Sequence, residues 1–304
     1  MDKNKKIILS IVVIAVIVIA GASTYFLIGL PAKTNLLPSG QVPQGQVSVT
    51  GDISTPATLT VQDLTTMPLT NVTATINEET ATYVGVTILE LLNKAGASWD
   101  TGFITLVGSD GYKKTINFYQ AYNSTKNESK EIILAFAENG KWIPGTSDGP
   151  FKLIAPGFGA GYDVYGVTKI NLEPWTINVT GTTTPMTLIS SNLTKYGTQT
   201  VQATFAPGCQ PHITANWTGV SLWNILQAGG IPSGASNVTV TGIDGYCQEF
   251  TLSQVQGIGM LIGYEENGQY LTPSNGQPYR LILPSADYKS GSYWVSWIAQ
   301  ITVS

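Results

Sequence analysis

Residues 83–96, YVGVTILELLNKAG, recur as residues 217–230, WTGVSLWNILQAGG, at an offset of 134 positions. In both stretches the apolar residues of the second half are spaced three and four apart, which predicts a short helix with one buried face. The first of these helices is expected over residues 87–94. A glycine follows the apolar run in each copy, as is common where a helix ends. The two stretches therefore predict one helical unit that occurs twice.

Further matches extend this repetition along the chain. The tripeptide DGY at residues 110–112 recurs at 244–246 with the same offset, and PFKLIAP at 150–156 recurs as PYRLILP at 278–284. Because the matches occur in the same order in both halves, they indicate duplication of a whole domain rather than of a short solenoid unit.

The duplication divides the chain into four segments. We assign residues 1–30 to a membrane anchor or signal segment, 31–45 to a flexible linker, 46–173 to the first domain and 174–304 to the second. Within each domain, strand-like alternation of apolar and polar residues is mixed with short helices and hairpin turns. This mixture predicts an α+β fold rather than a wound parallel sheet.

One loop distinguishes the second copy from the first. The second copy is five residues longer between Val201 and Trp217, where residues 207–212 read PGCQPH. This insertion carries His212, the single histidine of the chain, and Cys209, one of its two cysteines. We therefore expect any chemistry that depends on these side chains to belong to the second domain.

The first 30 residues predict export from the cytoplasm. Lys3, Lys5 and Lys6 precede an uncharged apolar stretch at residues 7–30, which as a helix would reach ~36 Å at ~1.5 Å per residue. The lysines place the N-terminus inside and the remainder outside the cell membrane, as in a single-pass protein. The small residues at 20–22 leave a cleaved signal peptide as the alternative. Both interpretations place the body outside the cytoplasm.

The composition of the body agrees with export and argues against one class of partner. Residues 31–304 carry 18 acidic and 12 basic residues, so that their net charge is about −6. Nucleic acid is therefore not an expected partner, since phosphate binding needs a basic face. Seven Asn-x-Ser/Thr sequons are glycosylation candidates in an exported chain. They lie at Asn71, Asn123, Asn127, Asn178, Asn192, Asn216 and Asn237.

The order of the motifs resembles the oxidoreductase molybdopterin-binding domain of the sulfite-oxidase superfamily. The first copy begins with LTVQDLTTMP at residues 59–68, followed by the helix, the DGY turn and GPFKLIAPG at 149–157. The resemblance covers nearly all of residues 46–304, twice over. It implies two tandem sulfite-oxidase-like α+β domains and a molybdenum–molybdopterin cofactor, held by one cysteine thiolate and by basic residues.

The resemblance also implies roles for particular residues of the second copy. Cys209 would ligate molybdenum, Arg280 and Tyr246 would lie beside the cofactor, and His212 and Arg280 would lie near the substrate. Arg280 is the single arginine of the chain and corresponds to Lys152 in the first copy. The first copy has no cysteine, so we expect it to bind no molybdenum. The second copy contains few other basic residues, which is sparse for a pterin phosphate and an oxyanion substrate together.

The cysteines leave an alternative open. Cys209 and Cys247 are the two cysteines of an exported chain, and a disulfide between them is the usual state in an oxidising compartment. Closing this loop would stabilise the domain by ~3–4 kcal/mol and would remove the metal thiolate.

Two functions follow from these alternatives. We favour a binding module that holds a small ligand or a surface protein with little or no molybdenum chemistry. The alternative is a molybdopterin-dependent oxidoreductase that uses Cys209. The residues by themselves favour no cofactor and leave open whether the protein is an enzyme.

Overall fold

The computed structural model describes residues 36–127, 130–145, 149–208 and 211–304. The predicted membrane segment at residues 1–30 lies outside the described residues. Within the described part of the chain, no helix is both long enough and apolar enough to cross a membrane.

The described part of the first domain consists of eleven strands and three α-helices. The strands are β1 (Gln46–Gly51), β2 (Ala57–Thr60), β3 (Thr70–Ile76), β4 (Glu79–Thr87), β5 (Thr101–Gly108), β6 (Lys113–Asn117), β7 (Ile133–Glu138), β8 (Lys141–Trp142), β9 (Lys152–Ile154), β10 (Val164–Tyr165) and β11 (Val167–Pro174). The helices are α1 (Val61–Thr65), α2 (Ile88–Ala95) and α3 (Phe118–Ser124).

The second domain repeats this order with ten strands and three α-helices in its described residues. The strands are β12 (Ile177–Thr180), β13 (Met186–Leu188), β14 (Thr198–Phe205), β15 (Ile213–Ser221), β16 (Asn237–Gly242), β17 (Cys247–Thr251), β18 (Leu261–Glu266), β19 (Gln269–Tyr270), β20 (Arg280–Ile282) and β21 (Ile298–Val303). The helices are α4 (Ser190–Leu193), α5 (Leu222–Gly229) and α6 (Leu252–Ile258).

Each domain contains two sheets whose strand orders match between the copies. One sheet runs β2-β1-β11-β5-β6 in the first domain and β13-β12-β21-β16-β17 in the second. The other runs β10-β9-β7-β4-β3, with β8 on β7, and its counterpart runs β14-β15-β18-β19, with β20 on β18. The pairs β1–β11 and β12–β21 are parallel. The mixed sheets and the matching orders confirm the α+β class and the tandem duplication.

The repeated helix forms for the reasons that its sequence indicates. Thr87 caps the N-terminus of α2 by accepting a hydrogen bond from the Glu90 backbone N–H, and Gly96 ends the helix in the left-handed conformation at φ 70°. The apolar face that packs into the core consists of Ile88, Leu91, Leu92 and Ala95. In the second copy Ser221 supplies the corresponding cap of α5.

The predicted insertion forms the connection between β14 and β15. In the first copy β3 and β4 are joined by two residues, Asn77 and Glu78, both at positive φ, as in a tight hairpin turn. In the second copy Phe205 pairs with Ile213, so that seven residues at 206–212 replace the two-residue turn. The described part of this loop carries His212, which is exposed.

A continuous core joins the two domains. The indole of Trp99 in the first domain stacks on Tyr270 of the second at 4.3 Å between ring centroids. The Gln277 side-chain amide of the second domain also donates to the Trp99 carbonyl at 2.7 Å. Residues 36–45 of the predicted linker also contact the body, since Leu36, Leu37 and Val42 are partly buried against the core.

Candidate functional site

Arg280 is a buried cationic side chain in the second domain. It lies on β20, opposite Gly263 of β18, and only 6% of it is exposed. The guanidinium carbon lies 4.0 Å from the centroid of the Phe205 ring, a cation–π arrangement. Its Nε and Nη1 groups are buried and have no hydrogen-bond partner among the described residues. A buried cation with two unused donors is costly unless a ligand supplies the acceptor.

The Arg280 guanidinium remains a cation at neutral pH. Burial lowers its pKa to about 10, and the Glu266 carboxylate opposes this shift. Glu266 nevertheless forms no ion pair with Arg280 in the described structure, and its Oε2 accepts a hydrogen bond from the Asn275 side-chain amide at 2.6 Å. The positive charge of Arg280 is therefore available to an anion.

Aromatic rings form the floor beneath the guanidinium. The Phe205 ring packs on Trp294 at 5.1 Å between centroids, and Trp294 meets Trp217 edge-on at 5.3 Å. The two indole N–H groups are satisfied, since Trp217 donates to the Ala203 carbonyl and Trp294 to the Tyr288 carbonyl. The rings of this floor offer no competing acceptor to Arg280.

The inserted loop begins directly beside this group. Ala206 follows Phe205, receives a backbone hydrogen bond from Gly291 at 2.8 Å, and donates to Lys289 at 2.7 Å. Cys209, the predicted molybdenum ligand, lies outside the described residues. His212 is exposed at the far end of the same loop. The structure thus brings the start of the insertion to Arg280 and leaves the roles predicted for Cys209 and His212 as predictions.

Tyr246 occupies the turn between β16 and β17 and has a structural partner. Its hydroxyl donates to the Ser292 carbonyl at 2.6 Å, and 43% of the side chain is exposed. Tyr112 makes the equivalent bond to the Gly161 carbonyl in the first copy. Because the bond occurs in both copies, it ties each turn to the loop before the last strand, and it does not depend on a cofactor.

Cys247, the first residue of β17, is exposed and has no disulfide partner among the described residues. Its predicted disulfide partner, Cys209, lies outside the described residues. The structure does not show the disulfide, which therefore stays a prediction. Among the described residues there is also no group of three or more His, Cys, Asp and Glu side chains that could hold a metal ion.

In the first domain the charge of the corresponding basic side chain is neutralised by an ion pair. Lys152, the counterpart of Arg280, forms an ion pair with Glu138 at 2.7 Å. Burial raises the pKa of the Tyr83 phenol, and the nearby Glu138 carboxylate raises it further. The basic side chain of the first copy is therefore already paired within the chain.

Comparison with known proteins identifies the fold that carries this site. The family model of the oxidoreductase molybdopterin-binding domain matches residues 38–173 and again residues 164–304. The chain belongs to this family. The double match confirms the resemblance and its two tandem copies.

Individual relatives cover only part of the chain. A nitrate reductase [NADH] of Ulva prolifera is 31% identical over 103 residues, which are 29% of this chain and 12% of that protein. The nitrate reductase [NADH] of Spinacia oleracea is 27% identical over 174 residues, 45% of this chain and 18% of that protein. The chain thus spans less than a fifth of these curated relatives. A solved structure, the sulfane dehydrogenase SoxCD of Paracoccus pantotrophus, matches with a TM-score of 0.38 at 19% identity, covering 42% of this chain and 38% of its own.

The second domain fits one anionic group of the molybdenum–pterin cofactor that the family implies. The two unpartnered N–H groups of Arg280 suit a phosphate or another oxyanion. The first domain does not fit, because Lys152 is paired with Glu138. The residue that would bind the metal, Cys209, lies outside the described residues.

Phe205, Trp294 and Glu138 were not among the predicted site residues. The sequence did contain one signal for Glu138. Residues 138–140 and 266–268 both read ENG, and Glu138 and Glu266 are separated by the same offset of 128 as Lys152 and Arg280, so each copy has an acidic and a basic residue fourteen positions apart. Nothing in the sequence, however, distinguishes the copy in which the two residues form an ion pair from the copy in which they do not.

Proposed function

We propose that the second domain binds an oxyanion at Arg280. In this proposal the first domain, whose corresponding Lys152 is paired with Glu138, has a structural role. The observation that carries this proposal is the buried guanidinium with two unpartnered donors. Its aromatic floor holds the side chain in one orientation, which lowers the entropy cost of binding. The oxyanion belongs either to a small solute or to the phosphate end of a larger ligand.

A molybdopterin-dependent oxidoreductase is the second candidate. The observation that favours it is the inserted loop, which begins at Ala206 beside the Phe205–Arg280 pair and carries Cys209. In this candidate Arg280 would hold an anionic oxygen of the cofactor and Cys209 would supply the thiolate. The bound molybdenum would supply two-electron redox chemistry. Family membership supports this candidate, whereas the small number of basic residues in the second copy supports a simpler anion site.

We also propose that the protein acts outside the cytoplasm as a single-pass membrane protein. The support is the lysine-flanked apolar segment at residues 7–30 together with the sequons. Five sequon asparagines are exposed in the described structure, namely Asn71, Asn123, Asn127, Asn178 and Asn216. Asn192 is a poor acceptor because its amide bonds the backbone of Ile189 and Thr187 at the start of α4.

Isothermal titration of sulfate and phosphate into the full chain tests the anion site. We expect saturable binding in the wild type and at least tenfold weaker binding in Arg280→Met. The matched control is Lys152→Met in the first copy, which should bind the anions as the wild type does. Equal binding by wild type and Arg280→Met would refute the proposal.

Molybdenum analysis of the same protein separates the two candidates. The chain is expressed in an exporting host with cofactor supply, and its metal content is measured for the wild type and for Cys209→Ser. Near-stoichiometric molybdenum that is lost in Cys209→Ser would establish the oxidoreductase candidate. Anion binding at Arg280 in protein that contains no molybdenum would support the binding module and contradict the oxidoreductase candidate.

A further inference from the structure

The ion pair of the first domain shows how far a glutamate reaches in this fold. Lys152 lies opposite Ala135 in the β7–β9 ladder, and Glu138 follows Ala135 by three residues along β7. From this position the Glu138 Oε2 lies 2.7 Å from the Lys152 Nζ. A glutamate at this place in the register therefore spans the distance to the basic side chain on the neighbouring strand.

The second domain keeps this register but not the ion pair. Arg280 lies opposite Gly263 in the β18–β20 ladder, and Glu266 follows Gly263 by three residues along β18. The length of the basic side chain does not explain the difference, because arginine reaches at least as far as lysine. Arg280 and Glu266 nevertheless form no ion pair in the described structure. Other contacts must therefore keep the two charges apart.

Asn275 holds the carboxylate of Glu266. The Asn275 Nδ2 donates to the Glu266 Oε2 at 2.6 Å, and both side chains are only partly exposed. Asn275 ends a single 3₁₀ turn, Pro273–Asn275, which lies between β19 and β20. Its backbone N–H donates to the Thr272 carbonyl at 2.9 Å within this turn. A short hydrogen bond from an amide to a carboxylate is charge-assisted and stronger than one between neutral groups.

Phe205 holds the other charge. The guanidinium carbon of Arg280 lies 4.0 Å from the centroid of the Phe205 ring, and in this position its Nε and Nη1 have no hydrogen-bond partner. The Glu266 carboxylate still lies near enough to oppose the lowering of the Arg280 pKa by burial. Of the contacts that separate the two charges, the hydrogen bond from Asn275 is the one that acts on Glu266.

We propose that Asn275 keeps the anion site open by holding the Glu266 carboxylate away from Arg280. This inference rests on the anion site proposed above. Asn275 is a positioning residue, because it acts through Glu266 and does not contact the anion. Once the Asn275 donor is removed, Glu266 pairs with Arg280 as its counterpart pairs in the first domain. An incoming anion then has to displace a bound carboxylate, and its apparent affinity falls by the fraction of molecules in which the pair has formed.

Calorimetric titration of sulfate into the full chain in a non-ionic detergent tests this inference through a double-mutant cycle. Asn275→Ala should weaken sulfate binding on the order of tenfold, and adding Glu266→Gln should restore it. Glu266→Gln alone should change binding by less than about threefold, because the carboxylate held by Asn275 opposes the anion only at a distance. The matched control is Ser274→Ala, since Ser274 is an exposed residue of the same turn and should not affect binding.

A spectroscopic measurement follows the ion pair without any anion. Arg280 is the single arginine of the chain, so labelling with ¹⁵N-arginine gives one Nε–H signal. In a buffer free of sulfate and phosphate, Asn275→Ala should move this signal to lower field, because a hydrogen bond to a carboxylate deshields the proton. The additional change Glu266→Gln should reverse the shift. Asn275→Ser, which also shortens the side chain, provides a second variant if Asn275→Ala folds poorly.

The two measurements separate the inference from the proposed function. A wild type that binds no sulfate would refute the anion site itself. An Arg280 signal that is unchanged in both Asn275 variants would overturn the inference about Asn275, and so would weakened sulfate binding that Glu266→Gln fails to restore. The latter result would mean that Asn275 supports the site only by shaping its turn.

Discussion

Replacing Arg280 by methionine should stabilise the protein in the absence of ligand. Burial lowers the pKa of the guanidinium from 12.5 to about 10. At ~1.4 kcal/mol per pKa unit, this shift corresponds to a cost of roughly 3 kcal/mol for keeping the charge inside the fold. The contact with Phe205 returns about 1 kcal/mol. Methionine fills a similar volume without a charge, so the free energy of unfolding should rise by about 2 kcal/mol.

Urea unfolding at pH 7 in a buffer free of sulfate and phosphate measures this difference. Lys152→Met is the matched control, and it should lose up to about 1 kcal/mol because it leaves the half-buried Glu138 unpaired. Sulfate at 100 times its Kd should then stabilise the wild type by about 2.7 kcal/mol and leave Arg280→Met unchanged. A loss of stability in Arg280→Met would refute the reasoning, because it would mean that the guanidinium is already paired in the folded chain.

Three other results are expected. Asp163→Asn should be more stable than the wild type at pH 7 and equal to it below about pH 3.8. Burial raises the pKa of the Asp163 carboxyl in the folded protein, so the stability that the protonated carboxyl contributes is lost as the pH rises through its folded pKa. Urea unfolding between pH 3.5 and 7 measures the difference in stability, and a difference that does not change with pH would contradict the prediction. Trp99→Ala should remove the stack on Tyr270 and lower the free energy of unfolding by about 3 kcal/mol, and calorimetry should show two transitions in place of one. Cys247 should react with a thiol reagent without denaturant in protein that has been reduced, because its side chain is exposed; reduced protein in which Cys247 reacts only after unfolding would contradict this exposure.

The sequence by itself determined the features that depend on local pattern. The spacing of Ile88, Leu91 and Leu92 was enough to place α2 within one residue of its observed bounds, and Gly96 marked its end. Collinear repetition established the duplication and the position of the inserted loop, because homologous segments keep their order along a chain. These conclusions needed only neighbours in sequence, whose contacts are set by helix and strand periodicity.

The tertiary structure alone decided which charges are paired. Lys152 and Arg280 occupy the same place in the repeat, and each has a glutamate fourteen positions earlier. The Lys152 ammonium reaches Glu138, whereas Glu266 is held by Asn275 and Arg280 lies over Phe205. The burial of Asp163 was equally invisible in the sequence, since it depends on a loop folding over an edge strand. Desolvation and pairing are properties of side chains that meet through the fold, and no pattern along the chain records them.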